Sequence, residues 1–211
     1  MTAERRSDAL NGRAVAANLV LAGWLFADAV RALIVAQDIA LDAVEILGGL
    51  ALIGAAMFVL LRPAPLAQDL RFSSVTIALG AALVPIALQS LPAPAPRSGS
   101  FLPFVEASAV VTLTLSILYL GRCFSLVPQY RGLAAAGPYA IVRHPMYGSY
   151  LLFDGALALE NISWATGALW FVEAILLLLR AHREEQLLQS HEPAYHAYLA
   201  RVRYRFIPFV V

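Results

Sequence analysis

Tyr147-Gly-Ser-Tyr-Leu-Leu-Phe-Asp-Gly-Ala-Leu-Ala-Leu159, then Glu160-Asn-Ile-Ser163, then Trp164-Ala-Thr-Gly-Ala-Leu-Trp-Phe-Val-Glu-Ala-Ile-Leu-Leu-Leu-Leu179 reads as two apolar limbs around a tight turn. Ser163 is placed to cap the second limb. Whether this stretch is a hairpin decides the fold, because it sets the side of the membrane on which the last segment emerges. The arginines answer. With the chain start in the cytoplasm and a hairpin here, Arg5, Arg6, Arg13, Arg62, Arg71, Arg122, Arg131, Arg143, Arg180, Arg183, Arg201, Arg203 and Arg205 all fall inside, against Arg31 and Arg97 outside. The positive-inside rule asks for such a bias. The first limb reaches only ~20 Å by helix rise, short of a ~30 Å hydrocarbon core, so it is expected to start inside the protein beneath a polar segment.

Upstream lie four more apolar runs: about Ala14 to Val35, Leu41 to Leu61, Ser73 to Leu91 and Pro103 to Leu120. The first exceeds a signal-peptide core in length, and its Asp28 and Arg31 are spaced to pair on one helical face. The second carries Gly48, Gly49, Gly54 and Ala55, small surfaces on which helices approach closely. Pro63 and Pro65 end it. Pro85 lies inside the third run, and a Pro/Gly/Ser loop separates that run from the fourth. The expected fold is all-α, a polytopic membrane helical bundle of four N-terminal transmembrane helices plus a C-terminal helical hairpin and cytoplasmic helices. The chain divides into the N-terminal transmembrane helices, 1–120, and a cofactor-binding and catalytic region with the hairpin, 121–211.

Composition agrees. Of 211 residues 60% are hydrophobic and 14% charged, and mean hydropathy is +0.72; a soluble domain needs about a quarter of its residues charged. A large extramembrane domain is excluded. The 15 basic and 14 acidic residues leave +1, with no basic stripe for nucleic acid. All basic residues are arginine, which hints at a GC-rich bacterial source and hence the bacterial inner membrane, with both termini cytoplasmic. The single cysteine, Cys123, permits no intramolecular disulfide and no Cys/His zinc site, and reads as a buried structural thiol.

Ionisable residues in the first runs are scattered, with Glu45 either lining a pathway or lying near a helix start in reach of water. Polar chemistry concentrates in two blocks that the hairpin joins. The first runs from Arg122 to Tyr147 and includes Gln129, Leu133 and Gly137-Pro-Tyr-Ala-Ile-Val-Arg-His-Pro-Met-Tyr147. Pro145 disfavours the helical region for His144, so Arg143 and His144 are expected at the membrane rim with diverging side chains; in isolation, Arg143 would snorkel to headgroups and His144 would cap a helix. The second block starts Arg180-Ala-His-Arg-Glu-Glu-Gln186, with Arg180 and Glu184 one turn apart. Pro193 suits the first turn of a further helix carrying Tyr195 and Tyr198, followed by Arg201-Val-Arg-Tyr-Arg-Phe-Ile-Pro208.

The order Gln129, Leu133, Gly-Pro-Tyr139, Arg-His-Pro-Met-Tyr147, hydrophobic hairpin, Arg180, Glu184-Glu185, Tyr195, Tyr198 and Arg-Tyr-Arg-Phe-Ile-Pro208 resembles the isoprenylcysteine carboxyl methyltransferase and phospholipid methyltransferase family. The resemblance covers about Gly121 to Pro208. It implies an integral membrane enzyme that uses S-adenosylmethionine to methylate a lipid-like, lipidated or membrane-partitioned acceptor. By motif, the cofactor residues would be Gln129, Arg131, Gly132, Leu133, Ala134, Tyr139, His144, Pro145, Met146, Tyr147 and Glu184. Arg180 would face the acceptor, and His144 would serve catalysis. The chain departs from the pattern between Glu185 and Tyr195, where the linker is a residue shorter and reads His191-Glu-Pro193; this leaves open whether Tyr195 and Tyr198 pack or touch ligand.

Chemistry adds two expectations. No Gly-x-Gly-x-x-Gly follows a strand, so the Rossmann route to this cofactor is absent. A carboxylate or thiolate acceptor, which needs no further deprotonation, is favoured over an amine, for which His144 or Glu185 would have to act as base. The rival readings are an NADPH-dependent membrane reductase of the sterol-reductase type and a non-enzymatic membrane scaffold or transporter.

Overall fold

The structure, a computed structural model, describes residues 18–30, 33, 43–91 and 101–209. Arg5, Arg6, Arg13, Arg31, Asp42, Arg97 and the side chain of Glu45 lie outside that description. The chain is mostly helical: α1 Asn18–Val30, α2 Ala43–Leu61, α3 Phe72–Gln89, α4 Leu102–Leu120, α5 Pro145–Glu160, α6 Trp164–His191 and α7 Tyr195–Arg201. Each apolar run is helical over its described residues. Pro85 is accommodated inside α3.

Three helical stretches among the described residues are long and apolar enough to cross a membrane: Phe72–Gln89, Leu102–Cys123 and Trp164–His191. The described apolar stretches of α1 and α2, Asn18–Val30 and Ile46–Leu61, are shorter, so among the described residues α3 and α4 are the two helices ahead of the hairpin that meet the length of a span, and the expected count of four is not established. Side-chain placement runs opposite to that of a water-soluble bundle. Ala78, Ala81, Ala109 and Ser116 are buried between helices, whereas Leu83, Phe104, Leu118 and Phe171 face outward. Small residues inside and large apolar ones outside suit helices packed in lipid.

The hairpin is present. Ser163 Oγ accepts from the Thr166 backbone N–H while the Thr166 hydroxyl accepts from the Ser163 backbone N–H, a reciprocal capping box that starts α6. Trp170 Nε1 donates to the Leu151 carbonyl across 2.9 Å and ties the two limbs. Gly155 makes room for that indole, since a Cβ there would lie 3.0 Å from Trp170 Nε1. α4 packs along α5, α3 along α6, and α2 against α4.

Alternation of helix direction gathers the start of α1, the ends of α2, α4 and α6, and the starts of α3 and α5 at one end. Arg62 joins three of these pieces: Nε and Nη2 donate to Asn18 Oδ1, and Nη1 donates to the Phe124 carbonyl. A two-residue antiparallel pairing, Ala67 with Tyr130 and Gln68 with Gln129, ties the α2–α3 loop to the segment after α4. The arginine-rich end is therefore a connected structure.

Candidate functional site

α6 continues unbroken from its apolar half into the charged one, so its inner face carries Glu173, Leu177, Arg180, Ala181 and Glu185, all buried. Spacings of three and four residues keep such positions on one stripe. Arg180 Nε donates to Glu184 Oε1 at 3.2 Å, and its Nη2 donates to the Ser125 carbonyl at 2.9 Å. The guanidinium carbon stands 5.1 Å from the centre of the Tyr147 ring. Nη1 is the Arg180 nitrogen without a hydrogen-bond partner among the described residues.

The first block arrives through α5. His144 is the residue before its first turn, with φ −130° and ψ 64°, and is therefore non-helical as Pro145 demands, though short of full extension. It caps with its backbone, not its ring: the His144 carbonyl accepts from the Tyr147 and Gly148 N–H groups. The chain end holds this corner in place, since Arg143 N–H donates to the Tyr204 carbonyl at 2.9 Å and His144 N–H to the Arg205 carbonyl at 2.7 Å. Gly148 is required there, because a Cβ would fall 2.5 Å from the Phe206 carbonyl oxygen.

Arg143 and His144 do not diverge as the sequence suggested. Arg143 Nη1 donates to Glu185 Oε1 at 2.8 Å, and Nη2 donates to the Arg203 carbonyl. His144 Nε2 lies 3.4 Å from the same Glu185 oxygen, and its Nδ1 lies 3.7 Å from Glu184 Oε2. Arg205 adds a two-point contact to Glu185, Nε to Oε1 at 3.2 Å and Nη2 to Oε2 at 3.0 Å. A buried carboxylate attracts such partners because an unpaired charge there is costly. Glu185 is thus the structural hub of the corner, and Glu184 is the carboxylate left at the cavity wall. Tyr147 donates its hydroxyl to Glu184 Oε1 at 2.6 Å, and its ring stacks on His144 with centroids 5.2 Å apart and planes 3° from parallel.

The opposite wall comes from residues 129–139 and α7. Gly132 has φ +130° and Gly137 φ +59°, turns that favour glycine; a Cβ on Gly137 would also strike the Tyr119 ring at 2.6 Å. Tyr195 and Tyr198 are buried against Leu133, Ala135 and Leu188, and Tyr198 donates to the Tyr139 carbonyl at 2.7 Å. Both also reach the cavity, so they pack and line it. The altered linker is held by Glu192, whose carboxylate accepts from Tyr130 Oη at 2.8 Å and from the Ala194 N–H at 3.1 Å. Burial, with Glu184 nearby, pushes the Tyr139 hydroxyl well above the usual phenol range. Burial likewise raises Tyr195, and takes Tyr198 to about 12. These phenols stay neutral.

The space enclosed is about 480 Å³. Gln129, Gly132, Leu133, Ala134 and Tyr139 line one side of it, and His144, Met146, Tyr147, Arg180 and Glu184 the other. Two expected residues do not line it. Arg131 turns away to donate through Nε to the Pro63 carbonyl at 2.9 Å, and Pro145 is buried as the first residue of α5. Cys123 is half-buried at the cavity wall, not fully buried. The cavity continues between the helices past Leu52, Leu113 and Leu177 to Asp28, Gln89 and Asp154. The sequence reading missed that far end, although one acidic residue in each hairpin limb, Asp154 and Glu173, was the available signal. In comparisons with known proteins, no family model matches the chain and no curated protein matches its sequence.

Proposed function

We propose that the protein is an integral membrane methyltransferase that uses S-adenosylmethionine and methylates a lipophilic or membrane-partitioned acceptor. The observation that carries this reading is the closure of the two motif-bearing blocks, 121–147 and 180–205, on one cavity. Its arginine-rich end would face the cytoplasm, as the arginine bias asks.

The donor set fits the cofactor, which needs an anionic partner for its ammonium or ribose, aromatic walls for its adenine, and hydrogen-bonding groups at its edges. Glu184 offers the charge, and Tyr139 and Tyr147 the aromatic surfaces. Gln129 Oε1 is a buried acceptor with no hydrogen-bond partner among the described residues, so it is poised for an N–H of a ligand. The volume falls in the ~300–1,000 Å³ range of small-molecule sites.

S-adenosylmethionine supplies a methyl group already activated as a sulfonium, so the chain's task is alignment and exclusion of water. Glu184 is fixed by Tyr147 and Arg180 and cannot swing away from the wall. Arg180 is fixed by Ser125, Glu184 and the Tyr147 face, which leaves Nη1 to orient an anionic acceptor. The neutral phenols and Glu185, held by Arg143 and Arg205, are poor bases, which leaves His144 alone among the expected bases for an amine. An acceptor that is already ionised, a carboxylate or a thiolate, is therefore favoured over an amine.

The test is to incubate membranes containing the protein with methyl-labelled cofactor and to separate lipid, protein and small-molecule fractions. Label transfer that disappears in Arg180→Ala supports the reading. Consumption of reduced nicotinamide without methyl transfer would replace it with the reductase reading, and inactivity in both assays with the scaffold or transporter.

A further inference from the structure

The far end of the cavity is lined by none of the residues proposed to hold the cofactor. Asp154 on α5 and Glu173 on α6 lie within hydrogen-bonding reach of each other across the hairpin, 1% and 0% exposed. Beyond a proton shared between the two carboxyl groups, Asp154 Oδ1 and both carboxylate oxygens of Glu173 are buried with no N–H or hydroxyl donor among the described residues. Asp154 lines the cavity with Asp28 and Gln89, and Gln89 reaches the same Asp154 carboxyl. Carboxyl groups held at apolar depth call for a donor or a cation. Asp154, the member of the pair on the cavity wall, is open to a ligand that brings one, with Glu173 behind it.

Distance sets the ligand's size. Glu173 and Arg180 are seven residues apart on one helix, which is ~10 Å by helix rise. Tyr150 lies between, within electrostatic reach of Arg180 on one side and of Asp154, Glu173 and Asp28 on the other. Leu52, Leu113 and Leu177 line the passage.

We infer that this end of the cavity is a second polar subsite, built by Asp154 and backed by Glu173 and Gln89, for an ammonium group carried by the acceptor. The inference rests on the reading of Arg180 as the acceptor's anionic anchor. The acceptor is then a two-headed amphiphile, with an anionic group at Arg180, a short apolar middle, and an ammonium ~10 Å away at Asp154. An ammonium brings three donors to Asp154 and a positive charge to the carboxyl pair it forms with Glu173, whereas a hydroxyl brings one donor and no charge. The bland alternative is that Asp154 and Glu173 serve only to join α5 to α6.

Binding decides between them without cofactor and without turnover. The full chain in lipid nanodiscs is titrated with ω-aminooctanoate, ω-hydroxyoctanoate and nonanoate, using tryptophan fluorescence, because Trp24 lines the cavity. The amine should bind about tenfold tighter than nonanoate, the worth of a charge-assisted hydrogen bond, with the hydroxyl compound between them. Asp154→Asn and Glu173→Gln should each reduce that preference while S-adenosylmethionine affinity stays unchanged. Equal binding of amine and nonanoate by the wild type, or a preference undiminished in both variants, overturns the inference; the wild-type comparison needs no variant to fold. If S-adenosylmethionine fails to bind while the amine preference stands, the methyltransferase reading falls alone. If it binds and the preference is absent, the subsite falls alone.

Discussion

Tyr147 and Glu184 meet across 2.6 Å, hydroxyl to carboxylate, and this contact joins the start of α5 to the charged half of α6. The contact completes the cavity, because the two residues come from blocks separated by the whole hairpin. Tyr147→Phe removes one of the donors to Glu184 and leaves Arg180 at 3.2 Å. Its expected cost to cofactor affinity is about tenfold, as for a hydrogen bond to a charged group. Glu184→Gln, which removes the charge itself, should weaken binding further. Equilibrium binding on the three proteins checks the order.

Arg180 is expected to act differently. Its Nε and Nη2 are engaged by Glu184 and Ser125, so Arg180→Lys keeps a positive charge but loses the fork that presents Nη1. Turnover should fall about a hundredfold, the scale for one positioned donor, while cofactor affinity falls no more than in Tyr147→Phe, because Glu184 keeps the Tyr147 hydroxyl. Separate measurements of turnover and cofactor affinity test this, and a matched fall in both would argue against an acceptor role.

Gly148→Ala should destabilise the corner between α5 and the chain end. The added Cβ would meet the Phe206 carbonyl oxygen at 2.5 Å, and a backbone atom yields poorly. A loss of about 1–3 kcal/mol is expected, read as a lower Tm in detergent. Gly54→Ala is the control, because a Cβ there meets nothing within 4 Å and alanine suits a helix better.

Helix boundaries were legible because a membrane helix announces itself by length and apolarity, and Ser163, Pro63 and the Pro/Gly/Ser loop mark ends. The gathering of Gln129, Tyr139, Tyr147, Arg180 and Glu184 followed from the hairpin. Side-chain direction did not follow. Whether Arg143 and His144 diverge depends on how the last segment, 203–206, pairs with residues 142–144, and whether Arg131 faces the cavity depends on how 67–68 pair with 129–130; no periodicity records either. Asp154 and Glu173 escaped notice for a similar reason, since their meeting depends on the rotation of α5 against α6.

Asp69 offers a pH test of the loop that holds the β-pairing. Its carboxylate accepts from the Arg71 N–H, the Arg71 guanidinium and the Ser74 hydroxyl just ahead of α3. The hydrogen bonds from Arg71, against the opposing effect of burial, hold it well below the ordinary value of 3.8. A depressed carboxylate stabilises fully above its unfolded value and loses that contribution as pH falls through the folded one. Asp69→Asn should therefore cost about 1 kcal/mol at neutral pH. The difference in Tm between wild type and variant should close as the medium is acidified below 3.8; a constant gap would contradict the assignment.

On the proposed function, the cavity between the two blocks binds S-adenosylmethionine. Titration of the purified chain in nanodiscs with that cofactor and, in parallel, with NADPH tests it most directly. The account predicts saturable one-site binding of S-adenosylmethionine, weakened in Glu184→Gln, and no saturable binding of NADPH. Tight NADPH binding without S-adenosylmethionine binding would contradict it.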